Sequence, residues 1–387
     1  MKDKLNILII SDDKSGMNSG KSDPVLLCKK LERDGFNPKE DNFTYLAWSN
    51  TENQERLTEN IQIFRIKDSA SPILRDFVCP ERLFAVVDSL EGKPNVVVVY
   101  DSRHLLHALY VKRRYGGIIA EFLTNLPVGL SKTRSLPYLR SLYYFFFERI
   151  FCFVPDAVFV INETTKDYAL KTGIKKEKVR MFSPNVIRNE IDIASVAKEG
   201  RIREKFKIDK RKKIILSVGR LEKEKGYESL IRLFTKMDDP SMVLIIVGDG
   251  KERAFLEQLA QKYILENRII FAGFVEHRDV WDFYKDADLF VLLSVSEALG
   301  LVFWEAMYMG VPVLGTRTGG ILETIGAKQE RGLLVEEVGN LIEFKNKIHE
   351  ALEGELRESR LLEARKYVLS KMEVSETADF LRSLLIK

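Results

Sequence analysis

Short apolar runs alternate with longer amphipathic stretches along the whole chain, and this alternation restricts the fold more than any other feature of the sequence. Leu5–Ser11, Val96–Tyr100, Ile118–Leu123, Ala157–Ile161, Lys213–Val218, Met242–Val247, Ile269–Phe271, Leu289–Leu293 and Val311–Gly315 read as strands. Apolar at successive positions, they must be buried on both faces, which calls for parallel sheets covered by crossover helices. The chain has 387 residues, more than one domain of ~150 residues accounts for. From Ile187 to Lys213 strand signals lapse and Lys and Arg accumulate, so the interdomain connection falls there. The expectation is an α/β protein of two doubly wound, Rossmann-like domains facing a central cleft, the first over residues 1–190 and the second over 191–365. In such sheets ligands bind beyond the carboxyl ends of the strands, so site residues should lie in the turns that follow them.

Composition narrows the function classes. The charge balance of 61 Lys plus Arg against 57 Asp plus Glu leaves +4, too little for a dedicated nucleic-acid binder. Cys28, Cys79 and Cys152 are widely spaced and odd in number, which fits a reducing compartment and offers no zinc spacing. No secretory pattern is visible near Met1, so a cytoplasmic protein is expected. The greasiest stretch, Tyr138–Phe153, contains Arg140, Glu148 and Arg149 and is shorter than a spanning helix. With basic neighbours that include Lys112, Arg113 and Arg114, it fits either a helix docked on an anionic lipid surface or one buried inside the protein.

Four segments carry candidate chemistry. Gly16 and Gly20 enclose three residues before Lys21-Ser22, whereas a phosphate loop needs four. The segment is then a glycine loop lining the cleft or a plain strand-to-helix turn. After Val218 come Gly219, Arg220 and, five residues on, Lys225 before a helix start. Two cations and a helix N-terminus there can converge on one diphosphate, or the charges can simply be solvated. Asp286-Ala287-Asp288 has the spacing that holds Mg²⁺ or Mn²⁺, but its place at a helix end before a strand favours a structural role, and no metal is expected. The segment Ser294–Met307 is the most informative. Glu297 belongs to the loop and Glu305 to the helix, so the two carboxylates should contact different parts of one extended ligand. The helix-start amides of Gly300, Leu301 and Val302 offer an anion site between them.

The run Gly219-Arg220 with Lys225-Gly226, Val247-Gly248-Asp249-Gly250, Phe271-Ala272-Gly273-Phe274, Glu297 and Glu305, Gly310 and Pro312, and Thr318-Gly319-Gly320 with Glu323 resembles the C-terminal half of retaining, nucleotide-sugar glycosyltransferases of GT-B type, the group 1 or family 4 kind. The resemblance implies that Arg220 and Lys225 clamp the donor diphosphate and that Glu305 accepts the ribose hydroxyls. It also implies that Glu297 meets the transferred sugar, with Gly219, Phe274 and the Gly300–Val302 amides completing the donor site. A hexose would pass to an acceptor hydroxyl in glycan or glycolipid assembly, without a metal, the acceptor being a glycan or a lipid-linked one at the inner face of the membrane. A last helix, over 366–387, would pack back on the N-terminal domain.

The N-terminal half matches more loosely. Many relatives place a histidine after the strand that matches Ile118–Leu123, and here Thr124 and Asn125 stand at that position. His104 and His107 lie nearby, with either a surface or packing role or a site role. Gly16, Thr124 and Asn125 are the N-domain candidates. The rivals are a donor-binding partner subunit without turnover and a nucleotide-sugar epimerase of similar build.

Overall fold

The computed structural model describes residues 4–12, 31, 36–49, 53–67, 80–100, 104–123, 149–182, 201–265, 267–297, 299–371 and 377–386. The chain divides into two compact units, Met1–Asn185 with Glu373–Lys387, and Val186–Met372. Each unit is built on a sheet of largely parallel strands.

The first unit contains β1 (Asn6–Asp12), β2 (Asn42–Ser49), β3 (Asn53–Arg56), β4 (Ile61–Lys67), β5 (Val96–Val99), β6 (Ile118–Leu123), β7 (Ala157–Val160) and β8 (Val179–Met181). Their order across the sheet is β3-β4-β2-β1-β5-β6-β7-β8, and only β3 runs antiparallel to its neighbour. β5, β6 and β7 are buried along their whole length because every residue is apolar or, as at Glu121, enclosed. The topological switch point lies between β1 and β5. Gly16, Thr124, Asn125 and residues 138–148 of the aromatic run lie outside the described residues. His104, just before helix Leu105–Tyr115, and His107 on it are both buried, with rings 5.8 Å apart, so neither is a surface residue.

The second unit contains β9 (Lys213–Val218), β10 (Met242–Val247), β11 (Ile269–Gly273), β12 (Leu289–Leu292), β13 (Val313–Thr316) and β14 (Leu333–Val335). All are parallel, in the order β11-β10-β9-β12-β13-β14. Counted from β9, this is the 3-2-1-4-5-6 order of a dinucleotide-binding Rossmann sheet, with its switch point between β9 and β12. Chemistry is therefore expected where the loops after β9 and β12 diverge.

The chain's last segment departs from the expectation of one helix over 366–387. Helix Arg357–Lys371 belongs to the second unit, where Ala364 and Val368 are buried and Tyr367 meets Trp304 edge-on at 6.0 Å. Only helix Thr377–Leu385 joins the first unit. There Arg382 donates to the fully buried Asp41 at 2.6 Å, and Phe380 packs against Phe159. The boundaries consequently fall at 185/186 and 372/373 rather than at 190 and 365.

Among the described residues no helix is long and apolar enough to cross a membrane.

Candidate active site

The loop after β9 is drawn tightly against the end of β12. Gly226 adopts the left-handed conformation (φ 71°) at the start of helix Tyr227–Met237, and a Cβ there would overlap the carbonyl oxygen of Leu293. The two loops are further stitched by the Val295 amide donating to the Glu224 carbonyl at 2.8 Å. Gly226→Ala combines an unfavourable φ with a backbone collision, so it should cost at least ~2 kcal/mol. Calorimetry should show the melting transition of this unit falling by roughly 4–8 °C.

Loop closure brings together two residues that are 72 positions apart. Lys225 Nζ donates to Glu297 Oε2 at 2.6 Å, and the two side chains are only 17% and 14% exposed. Glu297 stands in the loop, as its sequence context suggests, and its carbonyl accepts the Gly320 amide at 2.9 Å, which ties in the loop after β13. Gly219 directly follows β9, its amide donating to the Val247 carbonyl at 3.0 Å. Arg220 is different in kind. Its side chain is 71% exposed and its nearest carboxylates, Glu224 and Glu222, are 3.7 and 4.0 Å away, so the guanidinium is held loosely and can swing onto a ligand.

Gly300, in the left-handed region (φ 70°), caps helix Leu301–Tyr308. The amides of Leu301 and Val302 lie in its first turn, where no intrahelical carbonyl reaches them. The start of this helix and the Lys225 ammonium thus belong to the same loop cluster at the switch point. Glu305, one turn further on, is only 4% exposed, which overturns any reading of it as a solvated helix residue. Its Oε2 accepts from the Tyr284 hydroxyl at 2.8 Å, and its Oε1 lies 3.0 Å from His277 Nε2. Burial, and after it the Glu305 charge, pushes the Tyr284 phenol well above its usual pKa, so it stays protonated and donates. Sequence reasoning missed both His277 and Tyr284. The one available signal was their spacing of seven, which puts them on one face of helix His277–Asp286.

Phe274, just past β11, is 70% exposed, an apolar ring in water beside the loop that leads to His277. Asp286 and Asp288 are committed elsewhere. Asp286 Oδ2 accepts the amides of Ile202 and Arg203 at 2.8 and 3.0 Å, and Asp288 binds Arg203, Lys213 and the Ile214 amide. Among the described residues no group of three or more His, Cys, Asp or Glu could hold a metal ion. On the first unit, the basic cluster read as a docking surface is partly neutralised. Lys112 pairs with Asp156 at 2.6 Å, and Arg114 pairs with Asp88 at 2.9 Å while lying over the Phe84 ring. Arg113 is exposed, as are Ile150 and Phe153.

Two units, each built on a largely parallel, doubly wound sheet, are the architecture of the GT-B fold. Residues 198–367 match the family "Glycosyl transferases group 1". The chain is 35% identical over 152 residues to an uncharacterized glycosyltransferase of Methanocaldococcus jannaschii, covering 39% of each protein. It is 29% identical over 229 residues to N-acetyl-alpha-D-glucosaminyl L-malate synthase of Bacillus anthracis, covering 59% of this chain and 58% of that protein. The matched part thus spans from about two fifths to somewhat over half of these relatives' length. Among solved structures, Anabaena Alr3699/HepE in complex with UDP superposes with a TM-score of 0.72 at 19% identity, over 98% of this chain and 100% of that one. At that identity the likeness concerns the fold.

Proposed function

We propose that this protein is a glycosyltransferase that moves a hexose-type sugar from a nucleoside diphosphate to an acceptor hydroxyl, with retention at the anomeric carbon, in glycan or glycolipid assembly. The observation that carries this reading is the juxtaposition, at the switch point of the second unit, of the Lys225–Glu297 pair with the Gly300-capped helix start and the buried Glu305. A nucleoside diphosphate leaves only when its growing negative charge is stabilised. Lys225 and the Leu301 and Val302 amides supply that stabilisation as preorganised groups, and Arg220 swings in as a second cation. Glu305 takes the ribose hydroxyls and Glu297 those of the transferred sugar. In this scheme the acceptor attacks on the face that the phosphate leaves, and the departing phosphate takes the acceptor's proton. The similarity to N-acetyl-alpha-D-glucosaminyl L-malate synthase of Bacillus anthracis supports a sugar-transfer reaction, and the UDP held by the Anabaena protein supports a nucleoside-diphosphate donor.

Nucleotide release from a panel of activated sugars, with soluble and lipid acceptors, tests the reading. Turnover with at least one donor is the expected result, whereas nucleotide binding without turnover across the panel would favour a partner subunit. The reaction needs no divalent cation in this scheme, so activity should survive EDTA. Loss on chelation with recovery in Mg²⁺ or Mn²⁺ would overturn the metal-free mechanism.

The acceptor side of the proposal is a lipid-linked glycan reached at the inner face of the membrane. Exposed Ile150 and Phe153, next to the aromatic run and Arg149, are the surface on which the protein would dock. Flotation should show binding to anionic rather than neutral vesicles, weakening with salt, and a loss of bound protein in an Ile150→Ser/Phe153→Ser variant. Indifference to anionic vesicles at low salt would point to a soluble acceptor.

A further inference from the structure

A carboxylate as enclosed as Glu305 is expensive unless its oxygens are matched by donors. Both donors come from one helix. His277 is the first residue of helix His277–Asp286 and Tyr284 lies two turns along it, and they reach opposite oxygens of the same carboxylate at 3.0 and 2.8 Å. Trp281 stands between them, 4% exposed, with its ring 5.5 Å from the imidazole and 5.8 Å from the phenol. The imidazole is therefore packed against a fixed surface on one side while remaining 40% exposed on the other. A carboxylate has about four lone-pair sites, two on each oxygen. One donor on each oxygen fixes the plane of the group and leaves one site per oxygen for a ligand. Two free acceptor sites on a locked carboxylate match two adjacent hydroxyls, and they match a single hydroxyl or none much less well.

We infer that His277 and Tyr284 are positioning residues that make Glu305 selective for the vicinal diol of a ribose, so that discrimination between ribo- and dideoxyribonucleotides is set by a helix that does not itself touch the nucleotide. The inference rests on the reading of Glu305 as the ribose acceptor. It adds two residues, and a specificity, that neither the loop motifs nor the family match assigns. Because Glu305 accepts, the His277 tautomer that fits carries its proton on Nε2. A glutamine at 277 offers an amide donor in place of that N–H, and an alanine offers none.

The test is titration calorimetry on the full chain with the tightest binder among UDP, GDP, ADP and CDP, and with the 2′,3′-dideoxy form of that nucleotide. Wild type should prefer the ribonucleotide. His277→Ala should lose roughly tenfold in ribonucleotide affinity while dideoxynucleotide affinity stays put, so that the preference collapses. Tyr284→Phe should do the same, and His277→Gln should recover most of the preference. Because His277 is partly exposed, its variants are expected to fold, and a thermal melt of each confirms it. An unchanged preference in folded His277→Ala and Tyr284→Phe would overturn the inference, as would equal losses for both nucleotides, which a merely structural role produces. Failure of wild type to bind any of the four nucleoside diphosphates would instead overturn the donor-site reading itself.

Discussion

Lys225→Ala should lower turnover at least ~10²-fold, the scale seen when one preorganised group that stabilises developing charge is removed. The structure gives this expectation a second part. Lys225 grips Glu297 at 2.6 Å where both are largely enclosed, so the ammonium compensates a carboxylate as well as waiting for a diphosphate. Truncating it leaves Glu297 with its charge poorly matched, and the variant should also lose stability. Glu297→Gln separates the two effects. Its turnover should fall as well, because the transferred sugar loses an ionised acceptor, but its affinity for the free nucleoside diphosphate should hold or tighten, since the ammonium is no longer bound to a carboxylate. Arg220→Ala should match the loss in turnover without the loss in stability, because the guanidinium is exposed and its ion pairs are long. Steady-state rates of nucleotide release with the best donor, set beside thermal melts, measure all of this. Undiminished kcat in Lys225→Ala would remove the ammonium from the leaving-group site.

The largest effect on binding is expected from Glu305→Ala. Charge-assisted hydrogen bonds to the ribose hydroxyls would be lost, at ~1.5–3 kcal/mol, or about 10- to 150-fold in Kd for the nucleoside diphosphate. Titration calorimetry reads this directly. The substitution also takes from the wholly buried Tyr284 hydroxyl its 2.8 Å acceptor and leaves it only the Val302 carbonyl at 3.3 Å, so the melting temperature should fall too. Glu305→Gln keeps the shape and one acceptor oxygen and should retain the fold better than the alanine variant. Unchanged nucleotide affinity in a folded Glu305 variant would sink the ribose assignment.

Legibility in the sequence followed burial. β9 and β10 could be read to the residue because a parallel strand enclosed on both faces must be apolar at every position, and Lys213–Val218 and Met242–Val247 are nearly so. β2, β3 and β4 were not read as strands. They lie toward one edge of the first sheet, and Asn42, Thr44, Gln54 and Gln62 interrupt their apolar pattern. β14 was missed because three residues give too short a signal.

By itself, the sequence determined the α/β class, strands β9 to β13 of the second sheet and the loops that carry Gly219, Arg220, Lys225, Glu297 and Gly300. These are local properties, fixed by apolar runs and by the glycines that end them. Tertiary structure alone decided which charges meet. Asp286 and Asp288, spaced as metal ligands are, turn instead to the amides and cations of residues 202–214. Glu305 is buried against His277 and Tyr284, which lie 28 and 21 positions before it. Such partnerships depend on how one helix is laid beside another, and the energy of a buried charge is set by the neighbours that packing supplies rather than by those the chain supplies.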